Sequence, residues 1–178
     1  SSGIEFPKQI EWYFNLLSEV GRMCTTASVY EGAENWPNLY AGAFSVMLLI
    51  LFVLNKRINW KKKIAPVLFV LFFMASFANK QLDFIWHGLH FPDSLPGRQS
   101  YLYAFLVLTI GYATVRKWRG IRLWHIGVAV VFASALMAVS TMFAGEDVTE
   151  YYAVIISILF VALYGIMTVL LKLKKKKN

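Results

Sequence analysis

Five long apolar runs divide the chain, at residues 38–55, 64–78, 101–115, 123–144 and 151–171, and no Asp, Glu, Lys or Arg lies inside any of them. Runs of this length and purity predict membrane-spanning helices. The polar segments between them alternate in sign. Lys56, Arg57 and Lys61 to Lys63 follow the first run, Arg116, Lys117, Arg119 and Arg122 follow the third, and Lys172 and Lys174 to Lys177 follow the fifth. The alternate segments hold Asp83 and Asp93, then Glu146, Asp147 and Glu150. All ten acidic residues thereby fall on one side of a membrane and fourteen of the eighteen basic residues on the other. Short Lys/Arg-rich loops stay cytoplasmic, so the pattern predicts an N-terminal segment outside and a C-terminus in the cytoplasm. The predicted fold class is all-α, a polytopic helical membrane protein with about five transmembrane helices.

Ahead of the first run, Ile10, Tyr13, Phe14, Leu17, Val20 and Gly21 recur at three- and four-residue spacing, with polar residues between them. This stripe predicts an N-terminal amphipathic helix over residues 8–24, lying flat on the outer leaflet or against neighbouring helices. Gly32, Asn35 and Pro37 then mark a loop. The expected organisation is an extracytoplasmic helix and loop over 1–37, a five-helix region over 38–171 and a basic cytoplasmic tail over 172–178. An outer start implies an upstream span in a longer parent chain.

The runs at 64–78 and 101–115 are short: fifteen residues make about 22 Å of helix, against a hydrocarbon core of about 30 Å. Both shortfalls face residues 79–100. Either the helices run on into that segment, or it dips into the membrane and lines a cavity. The longer runs carry small residues such as Ala133, Ala138 and Ser140, suited to close helix packing. Trp60, Trp118 and Trp124 sit beside basic residues as interfacial anchors.

Composition agrees. The chain is 58% hydrophobic, and its mean hydropathy of +0.53 exceeds that of ordinary soluble domains. A net charge of +8 in a soluble protein points to nucleic acid; here the spaced cations form no reading element and match anionic lipid headgroups instead. Cys24 is the one cysteine, which excludes an internal disulfide and makes it a small apolar filler.

Chemistry concentrates in residues 81–100, with Asp83, Asp93, His87, His90 and Arg98 at the outer boundary. Arg98 opens a helix; its planar fork matches phosphate oxygens, although a membrane anchor is the alternative. His87 and His90 can hydrogen-bond a phosphate or sugar hydroxyl, or simply pack the loop; two histidines three apart do not define a metal site. Asp83 and Asp93 are candidate bases or structural partners of Arg98 or Lys80. His125 lies at the opposite face as an interfacial residue.

The run Trp86-His87-Gly88, then His90-Phe91-Pro92, Leu95-Pro96 and Arg98, resembles the signature stretch of the bacterial YfhO family of membrane proteins. Trp36 to Gly42 opening a span and Asn55-Lys56 closing it are similar to the family's preceding segment. Asp93 stands where the family has Asn, and Gly97 where it has an aromatic, so no ring at that position stacks on a sugar. The resemblance implies a piece of a longer GT-C-like membrane glycosyltransferase, in the plasma membrane of Gram-positive bacteria. Such an enzyme passes sugar from a polyprenyl-phosphate donor to an envelope polymer such as teichoic acid. The implied substrate-binding residues are Trp86, His87, His90, Arg98 and Tyr101, with Trp86 or Tyr101 as part of a sugar or lipid wall. The catalytic carboxylate of that class lies nearer the N-terminus of the parent, so the catalytic residues and any cofactor stay unassigned. The expected partners are membrane lipids, the donor, the acceptor polymer and the remaining helices of the parent. A transporter or flippase component for an anionic lipid-linked substrate, or a non-catalytic scaffold, are the alternatives. Uncharged spans speak against transport.

Overall fold

The computed structural model describes residues 6, 9–25, 36–90, 97–143 and 150–177. Among them are six α-helices: α1 (Ala43–Leu54), α2 (Trp60–Ala78), α3 (Lys80–Trp86), α4 (Ser100–Arg116), α5 (Leu123–Phe143) and α6 (Tyr151–Lys177). Two 3₁₀ turns, Ser18–Met23 and Trp118–Gly120, complete the set. No strand forms among the described residues. The outside of the bundle is apolar, with Phe105, Val131 and Leu159 mostly exposed, as expected of helices that are hydrophobic all round. Among the described residues, two helices are long and apolar enough to cross a membrane, α5 and the Tyr151–Lys174 part of α6; α1 is a shorter apolar helix.

The short α1 is the centre of the bundle, packed on α4, α5 and α6. It begins later than the apolar run because residues 38–42 are not helical, and Gly42 leads the chain into the helix at φ 90°. Twelve residues give α1 about 18 Å of length. The most extensive helix contact joins α5 and α6. Ala129, Ala133, Ser140, Ala153 and Ser157 are fully buried, so small side chains let these helix axes approach. Gly165 shows how closely: a Cβ there would sit 2.5 Å from Val130 Cγ2.

One expectation needs correction here. Over the described part of the expected 8–24 helix, residues 9–24, no amphipathic surface helix forms. The chain runs extended through residues 10–12, then makes the Ser18–Met23 turn, every residue of which is buried and which packs against α5. Ser18, Gly21 and Cys24 are small and recur every three residues, the period of a 3₁₀ turn, which lets the segment pass between helices. α6 continues past the apolar run through Lys177, so the basic residues after it are helical. Lys172 Nζ reaches the Trp118 and Ile121 carbonyls and so ties α6 to the α4–α5 connection.

At the basic end, Asn55 joins the two cationic loops. Its Nδ2 donates to the Lys117 carbonyl at 3.1 Å and its Oδ1 accepts from Arg57 N at 2.9 Å. Gly120 permits this contact, since a Cβ there would lie 2.0 Å from Asn55 Oδ1. α2 behaves differently from its neighbours. Its buried residues, Phe73, Ser76, Phe77 and Ala78, all belong to its last turns, so it meets the bundle at the acidic end and stands off at the basic end. Trp60 to Lys63 form its first turn, and three ammonium groups cannot enter an apolar interior.

Candidate functional site at the acidic end

The 79–100 segment begins as a continuation of α2 with one residue out of line. Asn79 is extended (φ −101°, ψ 125°) and its Oδ1 caps α3 by accepting from Leu82 N at 3.0 Å. The break leaves backbone groups that need partners. The extended N-terminal segment supplies them: Tyr13 N donates to Ala78 O at 2.8 Å, Lys80 N donates to Glu11 O at 3.0 Å, and Trp12 bridges Asn79. An ion pair between Lys80 and Glu11 at 2.6 Å adds to the contact.

This docking places Tyr13 over α3. Its hydroxyl donates to Asp83 Oδ2 at 3.1 Å, while Asp83 Oδ1 lies 3.2 Å from His87 Nδ1. The same Nδ1 is 2.9 Å from the Asp83 carbonyl. Two oxygens around one ring nitrogen require that nitrogen to carry the proton, leaving Nε2 as the working atom. His87 is buried, and Nε2 has no hydrogen-bond partner. Burial raises the Asp83 carboxyl above its ordinary range, with His87 and the Tyr13 hydroxyl opposing that rise. Asp83 is therefore partnered by Tyr13 and His87, and Lys80 turns to Glu11 instead.

α3 ends in a Schellman motif. Leu89 N bonds Phe84 O at 3.0 Å and Gly88 N bonds Ile85 O at 3.2 Å, with Gly88 at φ 74°. Leu89 also adopts a positive φ, 66°, which costs a non-glycine residue about 1 kcal/mol or more. The backbone between the two histidines is thus held in a strained shape.

A second polar group lies deeper at the same end. Glu19 is fully buried and neither carboxylate oxygen has a partner, so burial pushes its pKa up to about 9. Gln99, in the turn before α4, is 4% exposed and neither amide atom is partnered. Tyr103 follows Gln99 by one helical turn and is buried, its hydroxyl 3.4 Å from Met23 Sδ. Arg22 donates to the Pro37 carbonyl at 3.3 Å and to Asn38 Oδ1 at 2.7 Å, locking the buried turn to the start of the α1 segment. Among the described residues, the buried side-chain atoms without partners belong to Glu19, Gln81, His87, Gln99 and Glu150, all at the acidic end. Native interiors leave few such atoms.

Burial divides the residues expected from sequence. His87 is buried; Trp86 is 39% exposed and stacks on Phe73 with ring centroids 5.9 Å apart; His90, Arg98 and Tyr101 are exposed. Asp93 and the two prolines of the motif lie outside the described residues. His125 is not an open interfacial residue: it is buried and its Nδ1 accepts from Arg122 N at 3.1 Å. Sequence reasoning missed Glu19, Arg22, Gln99 and Tyr13. For the Asp83–His87 contact the sequence did carry a signal, the four-residue helical spacing that brings the two side chains together.

An all-helical bundle with an apolar exterior, cations at one end and buried polar groups at the other defines an integral membrane protein of the α-helical class. This chain belongs to the YfhO family: the family model described as bacterial membrane protein YfhO matches residues 4–178. No curated protein and no solved structure matches it.

Proposed function

We propose that the chain forms part of a membrane glycosyltransferase that moves sugar from a polyprenyl-phosphate donor to an envelope polymer such as teichoic acid. In this reading five helices (α1, α2 and α4 to α6) span the plasma membrane, the acidic end faces outward and the C-terminus is cytoplasmic. The observation that carries it is the Asp83–His87 pair, which aims one unpartnered, buried ring nitrogen away from its anchor. A bond between sugar C1 and the donor phosphate breaks while the acceptor hydroxyl oxygen bonds C1, so negative charge gathers on the departing phosphate. His87 Nε2–H, when the ring is protonated, and the Arg98 guanidinium supply donors to that phosphate. The exposed rings of Trp86 and Tyr101, with His90, line the approach. Family membership supports the membrane setting, and the base that takes the acceptor's proton is left unassigned.

The test is transfer of labelled sugar from a polyprenyl-phosphate donor by the intact protein carrying His87→Ala or Arg98→Ala. Each should lower transfer on the order of a hundredfold with unchanged expression and melting. Full transfer by both variants overturns these roles. Movement of the lipid-linked sugar across the bilayer with no transfer would replace the enzyme with a transporter.

A further inference from the structure

The standing-off of α2 at the basic end opens a cavity of about 520 Å³ between α2, α4 and the residue 55–59 connection. Four cations line it: Arg57 from the connection, Lys62 from the first turns of α2, and Arg116 and Lys117 from the end of α4. All four are exposed, and among the described residues no carboxylate pairs with any of them. Arg116 lies over the Tyr112 ring, 5.8 Å from its centroid. Like charges converging on one cavity repel, and every acidic residue in the chain falls on the other side of its apolar runs.

The rest of the lining is of another kind. Phe52, Pro66, Leu106 and Ile110 form an apolar wall beneath the cations. Phe52 and Ile110 also line a second, wholly apolar trough of about 160 Å³ between α1 and α2, bounded by Val53, Val67 and Leu71. Val53 and Leu71 are more than half exposed on the apolar outside of the bundle, so the trough opens where lipid tails lie. A charged cup leading into an apolar channel has the shape and polarity of one amphiphile with an anionic head.

We infer that this groove is a specific site for an anionic phospholipid of the leaflet at the basic end, its phosphate among Arg57, Lys62, Arg116 and Lys117 and an acyl chain along the α1–α2 trough. The site is independent of the transferase reading. Basic pockets between helices at a membrane face are suited to such headgroups, and the Asn55–Gly120 contact holds Arg57 and Lys117 in register for it.

The intact protein, purified in detergent with phosphatidylglycerol and phosphatidylcholine, is examined by native mass spectrometry for retained lipid. Phosphatidylglycerol should be retained in preference, and Arg57→Gln/Lys62→Gln/Arg116→Gln/Lys117→Gln should weaken it on the order of a hundredfold. The matched variant Lys56→Gln/Lys61→Gln/Arg119→Gln/Lys174→Gln removes as many charges outside the groove and should retain it. Leu71→Trp, which fills the trough and leaves every charge in place, should also reduce retention. Equal loss in both charge variants shows diffuse surface attraction and overturns the site. Displacement by inorganic phosphate alone, equal retention of phosphatidylcholine, or indifference to Leu71→Trp overturns a lipid occupant.

Discussion

Replacing Glu19 by Gln should stabilise the protein at neutral pH, and the size of the gain follows from burial. The Glu19 carboxyl titrates near 4.5 when exposed and near 9 in the folded bundle, because desolvation penalises its charged form. Between those values the folded state holds a proton that the unfolded state has lost. Stability from this residue is therefore fully present below pH 4.5 and is lost as pH rises toward 9. Each pKa unit corresponds to about 1.4 kcal/mol, so at pH 7 the proton uptake costs about 3 kcal/mol. Glutamine fills a similar volume, stays neutral and escapes that cost. Melting of the intact protein and of Glu19→Gln, followed in nanodiscs by circular dichroism from pH 5 to pH 8, isolates the effect as a difference curve. The two should nearly coincide at pH 5 and separate by roughly 10 °C at neutral pH, with the variant higher. Asp83 is also raised by burial and gives the parent curve a slope of the same sign, but it cancels in the difference. A difference that stays flat across this range, or a variant less stable at neutral pH, refutes the buried neutral carboxyl.

Two further substitutions test how the ends are built. Gly120→Ala would force a methyl against Asn55 Oδ1 and the Arg57 backbone nitrogen, 2.8 Å away, and should lower stability by about 1–3 kcal/mol, read as a fall in melting temperature; an unchanged melt contradicts the close loop contact. Asn79→Ala removes the acceptor for Leu82 N and should cost about 1 kcal/mol. Faster hydrogen exchange over residues 80–87 reports it, and unaltered protection would show that the cap does not hold α3.

Helix location was legible because it depends on local apolar content. The α5 run and the start of α6 were placed nearly to the residue, since nothing interrupts them and no tertiary partner is needed to define them, while α6 runs on past its apolar run to Lys177. The α1 run was placed but its first residues were not helical: Asn38 instead accepts from Arg22, sixteen residues away, a contact that no local pattern reports. Over residues 8–24 the three- and four-residue stripe was real but misleading. Every side of that turn is buried, so polarity no longer reports which face is inside.

The candidate site divides along the same line. Asp83 and His87 are neighbours by helical spacing, and both lie in the chemically dense stretch 81–100. Tyr13 reaches Asp83 across seventy positions, and Gln99 lies in a turn whose polarity gave no reason to expect burial. The strain at Leu89 is likewise a product of how α3 ends rather than of leucine itself.

By itself the amino-acid order determined the helical class, the apolar runs and the segregation of charge between the two ends, and its motifs pointed to the family. These depend on side-chain transfer between water and lipid, which each segment decides alone. Tertiary structure decided which polar groups lose water: Glu19 inside a packed turn, His87 Nε2 without a partner, four cations around one groove. Desolvation depends on what surrounds a group from all sides, and those surroundings come from distant parts of the chain.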